Sequence, residues 1–446
     1  MIREVLAASV VFAVVTGAAG TASAQPAQSS ESSRWSAPPQ APLVFLADPK
    51  LGMEAGVRSV DGMGRLLFRY DEAIPPIVTF DEKTVLGKTG AVVGRFAQWL
   101  FIDTALATFE TTLIHEVFGH GSRARDVGQE ARFDFALPGI YCTILTDGEN
   151  CTSHAQVSTA TGNRDRDLLV VTGGVEANLL TAYWIDARVV ASRGWVHQGD
   201  LLLYTASKLA YANSFLSTKL GTPGALPPAD DIARSVQLLQ DRFNLPRAED
   251  RHRVESRLRT AYVWNLVDPM LWYSFYGVIY RGIGRGERWT QAPLPTIGKT
   301  TFYAAPRFNL SPFGAEHYVD LFLGRGSSVV ALYGRAGSSG LASYTGGGVR
   351  AIGVRVHDRL ALGGELDVWS QPETLLDERS VYERPQIRGV NAGLTGDLRL
   401  VGGVGIIARL AYKTRGYLAG QPIDEGFHGY VGASLALDRG VGAAAE

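Results

Sequence analysis

The chain has 446 residues, with 43 basic side chains against 44 acidic ones, a formal net charge of −1, and an apolar fraction of 46%. This balance gives no pointer to nucleic acid or to a polyanionic partner, and the apolar fraction is ample for a sizeable core. Fifty-one glycines are present, crowded into the last third, and there are only two cysteines.

From the N-terminus, residues 1–24 have the form of a secretory signal peptide. Arg3 precedes an apolar stretch from Val5 to Ala19, and Ala22-Ser23-Ala24 gives a small-residue cleavage pattern. Residues 25–42 are a polar Pro/Ser-rich linker, expected to be disordered. Over 43–85, short apolar runs alternate with Gly, Asp and Pro, which predicts short strands or irregular structure. From Gly90 to His120 the chain is free of proline and dense in Ala, Phe, Leu and Thr. That texture predicts one largely buried helix, ended by Gly119 and Gly121.

Cys142 and Cys151 follow, close together in an exported chain. The expected state is a disulfide closing a short loop, with free thiols as the alternative. A second helix is predicted over 169–190, and further helical segments over 198–220, 229–244 and 247–283. The helical part as a whole spans 86–290. Within it, Thr260–Tyr280 is apolar, but Asp268-Pro269 interrupts it with a charge and a helix breaker, so it is expected to be buried or interfacial rather than membrane-spanning.

From about 296 to 440 the period changes to two. Leu360, Leu362, Leu366 and Val368 share one face of a segment whose other face carries Glu365 and Asp367. Val404, Ile406, Leu410 and Tyr412 oppose Arg409 and Lys413 in the same way. Segments 301–310, 316–323, 327–335, 344–356, 359–369, 390–400, 404–413 and 427–437 make about eight strands. The expected architecture is therefore α+β: a helical domain followed by an antiparallel β-domain. An apolar face opposed to a charged one is the dyad pattern of an outer-membrane β-barrel, and a soluble β-domain is the alternative.

The chemistry centres on His115-Glu116-Val117-Phe118-Gly119-His120. In H-E-x-x-H two histidines one turn apart hold a zinc ion and the glutamate serves as general base. Here the spacing is i, i+5, which places the two side chains about 140° apart on an ideal helix. They can share a metal only if the helix widens by one residue, and glycine at the inserted position would ease that distortion. A third ligand is needed. Glu176, in the apolar second helix, is the expected one, and His154 is the alternative; if not a ligand, His154 suits a contact to substrate or to a developing oxyanion. Arg123 is a candidate for holding a substrate carboxylate. Glu110, Asn178 and Asp186 are candidates for orienting a ligating histidine.

H-E-x-x-G-H with a downstream glutamate resembles the dipeptidyl-peptidase III metallopeptidases, over the motif helix and the second helix. The resemblance implies a zincin-like site in which His115, His120 and Glu176 bind Zn2+ and Glu116 activates water. The expectation is an exported zinc metallopeptidase acting on a peptide or protein substrate, located in the bacterial outer membrane or periplasm. The competing expectation is a non-enzymatic barrel protein whose helical module serves envelope assembly or transport.

Overall fold

The computed structural model describes residues 41–73, 82–137, 141, 144, 153–157, 163–216, 230–245, 247–338, 343–374, 385–401 and 403–436. The signal peptide, the linker up to residue 40 and both cysteines lie outside the described residues.

Strand β1 (Leu43–Ala47) leads into helix α1 (Met53–Ala73). Sequence reading misses this helix because Gly56, Gly62 and Gly64 interrupt its apolar pattern. All three glycines permit close approach: a Cβ on Gly56 would overlap the Phe118 ring, one on Gly62 would stand 2.4 Å from the Val44 carbonyl oxygen, and one on Gly64 would collide with the Glu110 carboxylate.

A continuous helical run follows, comprising α2 (Val85–Gln98), a π-helical segment Trp99–Asp103, α3 (Thr104–Leu113), a second π-helical segment Ile114–His120 and α4 (Gly121–Asp126). Thr84 caps its start by accepting from the Gly87 amide. The run is longer than expected at its C-terminal end, because Gly121 keeps helical angles (φ −64°, ψ −38°) and does not stop it. It is also less buried than expected. Val93, Phe96, Ile102 and Phe109 are exposed.

After the short strands β2 (Ala131–Asp134) and β3 (His154–Val157) comes α5 (Arg164–Ala191), capped by the Asn163 side chain. Apolar by length and composition to a degree that would allow membrane crossing, α5 is nevertheless buried inside the protein along its whole apolar window. A helix apolar on all sides has to be enclosed by other elements. Then come β4 (Trp195–His197), α6 (Gln198–Leu209), α7 (Ala212–Leu216), α8 (Asp231–Arg242), α9 (Ala248–Leu266), α10 (Pro269–Phe275) and a third π-helical segment, Tyr276–Gly284. The Asp268-Pro269 interruption starts α10: Asp268 accepts from the Met270 amide and Pro269 occupies the first helical position, where no donor is lost.

The strands β5 (Trp289–Gln291), β6 (Thr296–Ile297), β7 (Thr300–Ser311), β8 (Gly314–Arg325), β9 (Ser328–Ser338), β10 (Ser343–His357), β11 (Leu360–Pro372), β12 (Gln386–Arg399), β13 (Val404–Lys413) and β14 (Gly426–Leu435) complete the fold. All but β5 join β1 in a ten-stranded antiparallel sheet of order β1-β14-β13-β12-β11-β10-β9-β8-β7-β6. Eight of its strands coincide with the predicted ones.

The helices and the sheet share their cores. Tyr183 and Ile185 of α5 pack with Tyr303, Phe322 and Ala331 of the sheet, and Leu168 and Val175 of α5 with Phe308 and Leu310. The sheet's two faces have inverted polarity. Toward the helices it buries Glu316, Arg335, Asp367, Asn391, Arg409 and Lys413, while Leu394, Leu410, Phe427 and Val431 are more than half exposed on the other side. These buried groups are hydrogen-bonded: Arg335 donates to Glu316 at 2.9 Å, Arg307 to Asp320 at 2.8 Å, Asn391 to Asp367 at 2.8 Å and Lys413 to the Ile423 carbonyl at 3.1 Å.

Candidate metal centre

The i, i+5 spacing of the histidines demands a helix widened by one residue, and Ile114–His120 is such a π-helical segment. The two imidazoles converge, with their Nε2 atoms 3.0 Å apart. Gly119 does not earn its place through unusual backbone angles, since it is absent from the left-handed residues. Its role is steric. A Cβ there would stand 2.6 Å from Gly174 Cα and 2.8 Å from the Gly173 carbonyl oxygen, and a Cβ on Gly174 would overlap the His115 ring. Three glycines let the motif segment lie directly on α5.

Each histidine is oriented from α5. His120 Nδ1 lies 2.7 Å from the Val170 carbonyl oxygen, a contact that only Nδ1–H can make and that leaves Nε2 as the inward-facing nitrogen. Asn178 Nδ2 lies 3.3 Å from His115 Nδ1, and Asn178 Oδ1 has no partner. Exchanging the two ends of this amide would let Oδ1 accept Nδ1–H and free Nε2 in the same way. Asn178, one of the three orienting candidates, is therefore in place. The other two are not: Glu110 is buried beneath α1 against Gly64, and Asp186 accepts from Tyr204 deep in the core.

The side chain that meets both ring nitrogens is Asp231, the first residue of α8. Its Oδ2 is 3.1 Å from the Nε2 of both histidines. Asp230 supplies the helix cap by accepting from the Ala233 amide, so the second aspartate is free to turn inward. Four ligands about 2.0–2.1 Å from a zinc ion stand roughly 3.4 Å apart along tetrahedral edges. The Nε2, Nε2 and Oδ2 atoms, 3.0–3.1 Å apart, form a slightly contracted face of that size. The Tyr211 hydroxyl completes the cluster, 2.7 Å from His115 Nε2 and donating to Asp231 Oδ2 at 2.6 Å.

Glu116 is buried beside them. One ligand atom each of His115, Glu116 and His120 lie within 4.8 Å of one another, a group that could hold a metal ion. Asp231 Oδ2 is equidistant from both ring nitrogens, whereas Glu116 Oε2 has no hydrogen-bond partner among the described residues. A buried carboxylate oxygen without a partner is costly, and a water or substrate proton would satisfy it.

The electrostatics agree. Burial alone would lower the His120 pKa, but the Asp231 carboxylate, its hydrogen bond, Glu116 and the Val170 carbonyl outweigh it and hold the ring at about 9. Burial would raise Asp231, yet the two histidines keep it far below the ordinary carboxylate range. Burial and the Asp231 charge push the Tyr211 phenol well above its usual value, so it remains a neutral donor. A cation bound between these nitrogens replaces the shared proton.

The remaining sequence candidates are elsewhere. Glu176 does not face the histidines; its oxygens accept from Arg123 Nε at 2.9 Å, from Arg123 Nη2 and from the Gly420 amide at 2.6 Å. Both oxygens are thereby engaged in a buried ion pair. Arg123 is itself fully buried, donating also to Asp126 and to the Gln421 carbonyl at 2.8 Å, so it offers nothing to a substrate. His154 is about half exposed on β3, 3.5 Å from Asp134. Cys142 and Cys151 lie outside the described residues. Asp231 and Tyr211 escape sequence reading because they are 116 and 96 residues from His115. The one available signal is the surplus acid in Asp230-Asp231, where a single cap would do.

Comparison with protein-family profiles, with curated proteins and with solved structures gives no match.

Proposed function

We propose that this chain is a zinc-dependent peptidase set in a membrane of the bacterial envelope. The observation carrying the enzymatic part is the convergence of His115 and His120 Nε2, with Asp231 Oδ2 on both and, beside them, Glu116, whose Oε2 has no partner among the described residues. His115, His120 and Asp231 would hold the ion, leaving one position open. A zinc ion there would lower the pKa of a water and polarise a scissile carbonyl. Glu116 takes the proton from that water and hands it to the leaving amine; its burial keeps competing solvent away. Tyr211, a neutral donor at the rim of the cluster, is placed to hydrogen-bond an oxygen that gains negative charge.

The membrane setting rests on the sheet. A soluble antiparallel sheet buries its apolar face and wets its polar one, whereas this sheet buries charged side chains among apolar ones on its inner face and exposes an apolar outer face. Leu394 faces Leu410 and Leu398 faces Ile406 across β12 and β13, all four exposed. A bilayer is the environment in which that face is stable, with the sheet wrapped as a barrel around α5. Two measurements test the proposal. Metal analysis of the purified mature protein should give one zinc per chain, and peptide hydrolysis should disappear in Glu116→Gln with the zinc retained. Zinc retained without hydrolysis by the unaltered protein would leave only a structural site. For the sheet, Leu394→Arg should destabilise the protein in bilayers by about 2–4 kcal/mol. Soluble behaviour without detergent would remove the membrane part.

A further inference from the structure

At the other end of α5 the molecule encloses a second, larger space that the metal chemistry does not use. It is a cavity of about 640 Å³ between α1, the C-terminal turns of α5 and the inner face of the sheet. Ten residues of α5, about 15 Å of helix, separate Asn178 at the metal cluster from Arg188 on the cavity wall. The volume is in the range of small-molecule sites.

Its charge is lopsided. Eight arginines line it against four carboxylates (Glu54, Asp61, Glu365 and Asp397), with no lysine or histidine. A chain with net charge −1 thus concentrates a formal excess of four positive charges in one concavity. The deeper arginines are committed to protein partners. Arg188 pairs with Asp61 at 2.6 Å and with Asp200 at 2.7 Å, and Arg350 with Glu365 at 2.7 Å. Arg58 donates to Tyr430 at 2.5 Å and lies over the Trp184 ring, 4.4 Å from its centroid. These contacts fix rigid guanidinium planes on an apolar floor of Trp184, Ile352 and Ile407.

The excess sits at the exposed rim. Arg193 follows α5, Arg325 flanks the turn between β8 and β9, and Arg355 lies near the end of β10. All three are exposed, and among the described residues none of their side chains has a hydrogen-bond or carboxylate partner. Guanidinium groups bind phosphoryl and carboxylate oxygens in a two-pronged geometry, and a phosphoryl group brings nearly two charges where a carboxylate brings one. Even with Arg188 matched by Asp200 as well as Asp61, the positive excess around a half-open, partly apolar space favours the more highly charged anion.

We propose that this cavity is a binding site for a phosphoryl-bearing ligand, its phosphate held by Arg193, Arg325 and Arg355 and its body lying against Trp184. The phosphate could belong to a soluble compound or to a lipid headgroup, because the recognising chemistry is the same. The inference is independent of the peptidase reading, since none of these residues touches the metal cluster.

The test is calorimetric titration of the full-length protein in detergent with inorganic pyrophosphate and, separately, with short-chain phosphatidic acid. At least one probe should bind with an affinity that falls as salt rises. Loss of one charge-assisted contact corresponds to about tenfold, so the Arg325→Gln/Arg355→Gln double variant should bind roughly a hundredfold more weakly. Asp397→Asn, which removes one of the four carboxylates, should bind more tightly. The thermal unfolding midpoint should be unchanged in both variants, which shows that the fold persists. Binding of pyrophosphate alone marks a soluble ligand, and binding of the lipid marks a headgroup. Failure of both probes to bind the unaltered protein, or equal binding by the double variant, overturns the proposal.

Discussion

Two buried carboxylate clusters lie on or against α5, and they are built to opposite ends. At Glu176 both oxygens are partnered: two contacts from Arg123 and one from the Gly420 amide close a paired unit in the core. At Asp231 one oxygen serves two imidazole nitrogens and a phenol at once, and the neighbouring Glu116 has an oxygen with no partner. A self-satisfied buried ion pair is structural, since any further ligand would have to break it. A cluster of inward-facing lone pairs held together by a proton is what a cation would complete. Satisfaction of hydrogen-bonding capacity, not carboxylate position along the sequence, separates the two.

The comparison is broken most completely by removing ligands. His115→Ala, His120→Ala and Asp231→Asn should each abolish zinc binding, read as metal content after dialysis, whereas Glu176→Gln should keep one zinc per chain. If Glu176→Gln lost its metal and Asp231→Asn kept it, the assignment of the two clusters would be reversed. Glu116→Gln comes next. With zinc retained, peptide hydrolysis should fall by about 10²–10⁴-fold, the usual contribution of a positioned general base. An unchanged rate in that variant would mean that the unpartnered carboxylate is not the base.

How much of this is legible in the sequence follows from which physical constraint each residue obeys. The widened helix at Ile114–His120 is legible because spacing and metal geometry leave no other way for two histidines at i, i+5 to meet. The strands from Thr300 to Leu435 are legible because alternation at period two is written along each of them. Glu176 misleads for an equally physical reason. An acid in an apolar helix must have a partner, but the sequence does not say whether that partner is a metal or a guanidinium three residues past the motif. Asp231 comes from the start of α8 and Tyr211 from the turn between α6 and α7, both far along the chain, and α1 is hidden by glycines whose role is close approach to other elements. The charge excess of the second cavity is invisible in a near-neutral composition, because its arginines come from two helices, a turn and several strands.

The paired cluster has its own measurable signature. Glu176→Gln leaves Arg123 buried with Asp126 as its remaining acidic partner, and breaking a buried pair from one side costs about 3–5 kcal/mol. The expected outcome is a clearly lower melting temperature with unchanged metal stoichiometry. Replacing Asp231 by Asn in metal-free protein should cost less, because it removes a charge together with the proton it stabilises on His120. Equal destabilisation by the two variants would erase the distinction between a structural and a functional cluster.

The finest discrimination lies in Asn178, which touches His115 from α5 without reaching any metal position. Its amide fixes which ring nitrogen faces inward, and outer partners of this kind contribute about 10–100-fold to metal affinity. Asn178→Ala should therefore bind zinc more weakly by that factor in competition with a chelator, while Asn178→Asp, which still accepts from Nδ1–H, should recover most of it. A role in packing alone predicts a different pattern: both variants would lose stability together, and zinc affinity would not follow the hydrogen-bond acceptor. The rescue by Asp, rather than the loss in Ala, is the measurement that ties the α5 contact to the metal.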